Sequence, residues 1–168
     1  MTIFAIALGL FLLPSVTDTL AEFPQLDIKD KNMLSLNVTD AVYNSNTSGF
    51  LGSKNISSTP YQITESNYLD QGLLNNAVNV TNNQTYLSTY LSEDLLVGRG
   101  NGMIATLDGQ NIEWISSSIG RPVDDLWVYY GIMLFNTTQS ESLSLLNNSI
   151  GLSKSIAGSE PDYIWLLE

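Results

Sequence analysis

The sequence predicts an all-β fold: an antiparallel barrel of about eight strands, with one short helix before the last two strands. Three observations carry this reading. Turn-forming residues punctuate short runs rich in Val, Ile, Thr, Tyr and Trp, and no strand–helix–strand alternation appears. Asp108-Gly109 stands between two strand-like runs, where an Asp-Gly pair suits a two-residue type I′ turn because both positions need positive φ. Gly98, Gly100 and Gly102 alternate within one run, a device that lets a sheet coil sharply enough to close.

A two-residue turn at Asp108-Gly109 sets a register. Leu107 faces Gln110, Ala105 faces Ile112 and Met103 faces Trp114, so Met103 and Trp114 share one side. Further along, Asn101 falls opposite Ser116 and Arg99 opposite Ser118. The Gly-x-Gly-x-Gly run is not a phosphate loop, because it lies inside a strand and no helix follows it. After Gly120-Arg121-Pro122, residues Leu126–Phe135 are apolar or aromatic at every position except Gly131. That run is too short to span a bilayer as a helix, and its composition favours a strand covered on both faces.

At the N-terminus, Ile3–Leu13 is unbrokenly apolar and is followed by Pro14 and by small residues near Ala21. This resembles a secretory signal peptide over 1–21, with a membrane anchor as the alternative. The expected location is therefore secreted or cell-surface, or anchored with the domain outside. Residues 22–58 read as a polar, irregular N-terminal segment, and 59–168 as the barrel domain. About 147 residues after cleavage allow one domain with a sizeable core.

Between Pro60 and Ser92 the pattern gives a strand at Tyr61–Tyr68 and a hairpin of Leu73–Thr81 with Gln84–Ser92 about Asn82-Asn83. Thr138-x-x-Glu141 is a capping-box pattern leading into Leu143, Leu145 and Leu146, which predicts a two-turn helix. Ser149–Ile156 and Asp162–Leu167 are the last strands. In outline the barrel resembles the calycin and dirigent/allene-oxide-cyclase barrels. The likeness rests on strand count and not on shared motifs, so no activity and no functional residue is carried over from it.

The chain has 17 Asp and Glu against 6 Lys and Arg, and neither histidine nor cysteine. The acidic balance argues against nucleic acid and anionic membrane surfaces as partners. The missing residue types exclude Ser-His-Asp and Cys-His catalysis and zinc, haem or copper sites of ordinary ligand type, so neither metal nor cofactor is expected. Seven asparagines stand in the Asn-x-Ser/Thr acceptor pattern: Asn37, Asn46, Asn55, Asn79, Asn83, Asn136 and Asn147. They are candidate glycosylation sites of an exported protein.

Three functions are compatible with this reading. The barrel binds a small amphipathic ligand, with Arg99 holding its head beside Asn101, Ser116 and Ser118, and with Met103 and Trp114 in the interior. Alternatively it is a non-catalytic cell-surface interaction module. The third possibility is a cofactor-free isomerase or cyclase using carboxylates, for which Glu93-Asp94 and Asp124-Asp125 at strand ends are the visible acid pairs. An interior cavity of several hundred Å³ would favour the first or third reading, and a filled interior the second.

Overall fold

In a computed structural model, residues 40–167 are described. Eight antiparallel strands follow one another around a closed barrel, each paired with its sequence neighbours: β1 Tyr43–Ser57, β2 Gln62–Leu74, β3 Val78–Ser92, β4 Leu95–Thr106, β5 Asn111–Val123, β6 Leu126–Phe135, β7 Ile150–Ile156 and β8 Ser159–Leu167. Closure removes the exposed edges that an open sheet of this length would present. The expected signal peptide, the acceptor Asn37 and most of the polar segment lie outside the described residues.

The barrel takes in residues 43–57, which the sequence pattern assigns to the irregular N-terminal segment. The strand escapes pattern reading because serines stand among its interior positions between and beyond Tyr43 and Phe50. Ser45, Ser48 and Ser53 pair with the inward positions Gly72, Asp70 and Ser66 of β2, and bulges interrupt the period.

Two turns correct the expected registers. Around Asp108-Gly109 only Gly109 adopts positive φ, at 86°. The Gly109 N–H donates to the Thr106 carbonyl (3.0 Å) and the Thr106 N–H to the Gln110 carbonyl (2.8 Å). This is a three-residue loop ending in a left-handed glycine, not a two-residue turn. The Thr106 hydroxyl favours the wider loop by donating to Asp108 and accepting from the Gln110 N–H. Ile104 therefore pairs with Ile112, Gly102 with Trp114 and Met103 with Glu113. A shift of one residue exchanges the two faces of a strand, so Met103 and Trp114 lie on opposite faces of the barrel wall.

The second hairpin turns at Asn75-Asn76, both left-handed (φ 51° and 54°), and not at Asn82-Asn83. The residue type is the expected one, seven positions earlier. Asn82 and Asn83 lie within β3, and β2 continues from Gln62 to Leu74 without a break. The type I′ geometry expected of Asp108-Gly109 is approached instead at Asp124-Asp125, where both residues have positive φ between the paired Val123 and Leu126.

One end of the barrel is plugged. The 136–149 connection crosses it, held by Asn136 N–H to the Glu113 carbonyl (2.9 Å) and the Thr138 hydroxyl to the Asn111 carbonyl (2.8 Å). The expected two-turn helix is a single 3-10 turn, Ser144–Leu146. A 3-10 turn eclipses residues three apart, and here Leu143 and Leu146 are both fully buried in one core with Ile104, Ile112, Trp114 and Phe135. Burying each leucine contributes about 1.5–3 kcal/mol.

The seam that closes the barrel is short among the described residues. Among the described residues, β1 and β8 share two Cα pairs, Tyr43 with Ile164 and Asn44 with Tyr163, whereas every other ladder has six or more. Just beyond the last pair the Asp162 N–H donates to the Ser45 hydroxyl at 2.6 Å.

Candidate functional site

Toward the end away from the leucine plug, the interior is not filled. It encloses a cavity of about 710 Å³. Small residues make the space. Where β5 and β7 face the cavity they carry serines, Ser116, Ser118, Ser153 and Ser155, and the inward positions of β4 beside them include Gly98, Gly100 and Gly102. A side chain on those glycines would collide with neighbours already in place. A Cβ on Gly100 would stand 2.7 Å from Cδ1 of Tyr86, and one on Gly102 2.7 Å from Cε2 of Trp114. The glycine stripe is therefore a bare shelf on which aromatic rings lie.

Those rings form a continuous ladder. Centroids are separated by 5.5 Å from Phe50 to Tyr68, 6.2 Å from Tyr68 to Tyr86 and 6.0 Å from Tyr86 to Trp114, within the range of favourable aromatic pairs. Hydrogen bonds fix its polar edge. The Tyr86 hydroxyl donates to Gln84 Oε1 (3.0 Å), the Gln84 amide donates to Asp70, and the Ser48 hydroxyl donates to Asp70 (2.7 Å). The Trp114 Nε1–H donates to Asn82 Oδ1 at 2.9 Å. These bonds satisfy buried polar groups that would each otherwise cost about 1–3 kcal/mol.

Two buried hydroxyls on the cavity wall are held only loosely, Tyr43 Oη by Asn82 and Ser116 Oγ by the Tyr86 hydroxyl. Buried polar atoms are ordinarily fully paired, so loosely held hydroxyls on a cavity wall have hydrogen-bonding capacity left over. Tyrosine ionisation is suppressed throughout. Burial, reinforced by Asp70 and Asp162, pushes Tyr43 far above the ordinary phenol value. Burial and the same two acids push Tyr86 up, and burial raises Tyr68 and takes Tyr129 to about 12. These four phenols are neutral at physiological pH and offer O–H donors.

The expected site divides along the barrel wall. Ser116 and Ser118 line the cavity, whereas Trp114 lies outside its lining, buried in the core with Ile104 and Ile112 (2 % exposed). Arg99, Asn101 and Met103 point outward, because the one-residue register shift exchanges the faces of β4. Asn101 and Met103 border a shallow outer depression with Asn83, Thr85 and Glu113. Arg99 cannot hold the head of an interior ligand. The acid pairs Glu93-Asp94 and Asp124-Asp125 sit in exposed turns outside the cavity lining. The carboxylates that do line it are Asp70 and Asp162, on β2 and β8, and no described lysine or arginine joins them.

The six described acceptor-pattern asparagines fall on the outer surface or its turns. Asn46, Asn55, Asn79, Asn83 and Asn136 are exposed, while Asn147 is half-buried and accepts the Thr138 N–H at 2.6 Å.

Two signals in the sequence point to this site. Small residues alternate on strands that face aromatic ones, Gly98-x-Gly100-x-Gly102 against Tyr86 and Trp114, and Ser116 and Ser118 continue the vacancy on β5. Asp70 carries no such signal, because its inward placement depends on the β2–β3 register.

The fold and interior define a class: a closed, up-and-down eight-stranded barrel, plugged at one end by its β6–β7 connection, with a hydroxyl-lined chamber behind the plug. Compared with family models, curated proteins and solved structures, the chain finds no match. The outline likeness to calycin and dirigent-type barrels thus has no such match behind it.

Proposed function

We propose that the protein binds a small amphipathic molecule inside the barrel. The observation that carries this is the unfilled chamber, whose volume lies within the range of small-molecule pockets, about 300–1,000 Å³. An interior built only for stability would be packed solid. The ring ladder suits a flat or ring-bearing body, and the loosely held Tyr43 and Ser116 hydroxyls suit polar groups on it. Asp70 and Asp162 make the chamber unfavourable for anions, so the ligand is neutral or cationic.

The test uses 1-aminoanthracene, a flat aromatic amine, as a fluorescent probe, with the anionic 8-anilinonaphthalene-1-sulfonate as comparison. The amine is expected to bind with enhanced emission and the sulfonate at least about tenfold more weakly. Ser118→Phe, which places a ring in the chamber, should abolish binding, and Arg99→Ala should leave it unchanged. Undiminished binding by a folded Ser118→Phe variant would remove the chamber as the site.

A further inference from the structure

The chamber's charge and its rings belong to one surface. Asp70, on β2 and 1 % exposed, and Asp162, on β8, line it from either side of β1. The Ser48 hydroxyl and the Gln84 amide both donate to Asp70; these neutral donors favour its ionised form without cancelling its charge. Gln84 also accepts the Tyr86 hydroxyl, so one side chain links the carboxylate to the ring ladder. The field of the two acids reaches three phenols, since both act to raise Tyr43, Tyr68 and Tyr86. The end away from the plug is acidic as well. Its β3–β4 and β5–β6 turns carry the exposed Glu93, Asp94, Asp124 and Asp125, with Arg121 near Asp94. At the same end the β7–β8 turn supplies Ala157 and Gly158 to the chamber wall.

We propose that the chamber's guest is an organic cation, an ammonium carried on a flat apolar body, with its charge held by Asp70 and Asp162 and its body against the Phe50–Tyr68–Tyr86 ladder. The inference rests on the chamber being the binding site and narrows what binds there. Ring faces are negative, so rings and carboxylates attract the same guest. Taking an ammonium out of water is costly, and opposite charge already in place offsets that cost. A neutral guest would displace water from both carboxylates without supplying charge, and an anion would meet their repulsion. The acidic turns at the chamber's end add steering, because they raise the local concentration of cations.

Isothermal titration calorimetry of the full chain with three naphthalene probes tests the proposal: 2-naphthylmethylamine, which is protonated at neutral pH, 2-naphthalenemethanol and 2-naphthoate. Their bodies match and their head groups differ in charge. The amine should bind at least about tenfold more tightly than the alcohol, and the naphthoate most weakly. Asp70→Asn and Asp162→Asn should each cut the amine-to-alcohol ratio about tenfold. Asp162→Asn keeps the backbone N–H that donates to Ser45, so it decides the matter should loss of the Ser48 and Gln84 bonds unfold Asp70→Asn. The preference should survive a change from about 50 mM to about 500 mM NaCl, because salt screens buried charge little. Equal binding of amine and alcohol, both lost in Ser118→Phe, overturns the cation and leaves the chamber as the site. Amine binding undiminished in a folded Ser118→Phe variant overturns the chamber as well. A preference unchanged in folded Asp162→Asn, or one that salt removes, places the recognition outside the chamber and overturns the proposal.

Discussion

The three glycines of β4 supply a graded test of how the interior is built. Each lies on an inward position without positive φ, so alanine is permitted by the backbone and the outcome depends on what the new methyl meets. By restricting the unfolded chain alone, Gly→Ala would stabilise by about 0.4–1 kcal/mol. At Gly98 the methyl meets the Ser118 hydroxyl, with the Ser118 Cβ at 3.8 Å, so rotation of one serine relieves it. The net change expected for Gly98→Ala is within about 0.5 kcal/mol of zero. At Gly100 the methyl meets the Tyr86 ring and the Ser116 hydroxyl at 2.6 Å. Overpacking of this kind costs about 1–3 kcal/mol, for a net loss of about 1 kcal/mol. At Gly102 it meets the Trp114 ring and the backbone carbonyl of Asn83 at 2.5 Å, which cannot turn away without parting β3 from β4. There the net loss is about 2 kcal/mol or more. Urea unfolding followed by tryptophan emission measures all three, with the m-value as a check that the unfolded state is unchanged. Should Gly98→Ala cost as much as Gly102→Ala, the glycines would be needed for strand curvature and the shelf argument would fail.

Two further outcomes follow from the chamber. Tyr43→Phe removes a buried hydroxyl held only loosely by Asn82, so stability in urea unfolding should change by less than about 1 kcal/mol while a hydroxyl-seeking ligand binds less tightly; a loss of about 2 kcal/mol or more would mean that this hydrogen bond is a full structural one. Tyr43, Tyr68, Tyr86 and Tyr129 have folded-state values raised above the unfolded phenol value. Their contribution is complete below about pH 10 and is lost as pH rises through the folded values, about 12 for Tyr129. Absorbance at 295 nm against pH, with circular dichroism alongside, should show their late ionisation coinciding with unfolding; ionisation at the ordinary phenol value in an intact barrel would refute a water-poor interior.

The architecture was legible because turn chemistry and β-rich runs survive averaging over a whole chain. The site was less legible because it depends on parity. Asp108-Gly109 marks a turn under either geometry, but whether the loop holds two residues or three is decided by the Thr106 hydroxyl, and that choice puts Arg99 in the chamber or in solvent. Asn75-Asn76 and Asn82-Asn83 are chemically alike as turn formers. What separates them is the distant Trp114 ring, whose N–H claims Asn82. Strand β1 was hidden for a different reason: serines between the inward Tyr43 and Phe50, and the bulges around them, break its hydrophobic period. The acidic turns drew notice as pairs in sequence, whereas Asp70 and Asp162, 92 positions apart, line one cavity because the barrel brings β2 and β8 to either side of β1.

The brevity of the β1–β8 ladder has a mechanical consequence. Among the described residues it is the joint with the fewest pairs, and local opening occurs where the fewest bonds must break together. The amides of Val42 and Asp162 would exchange with solvent ahead of those on β3 and β4. A guest too large for the rim would then enter sideways, between two lips that separate without melting the rest.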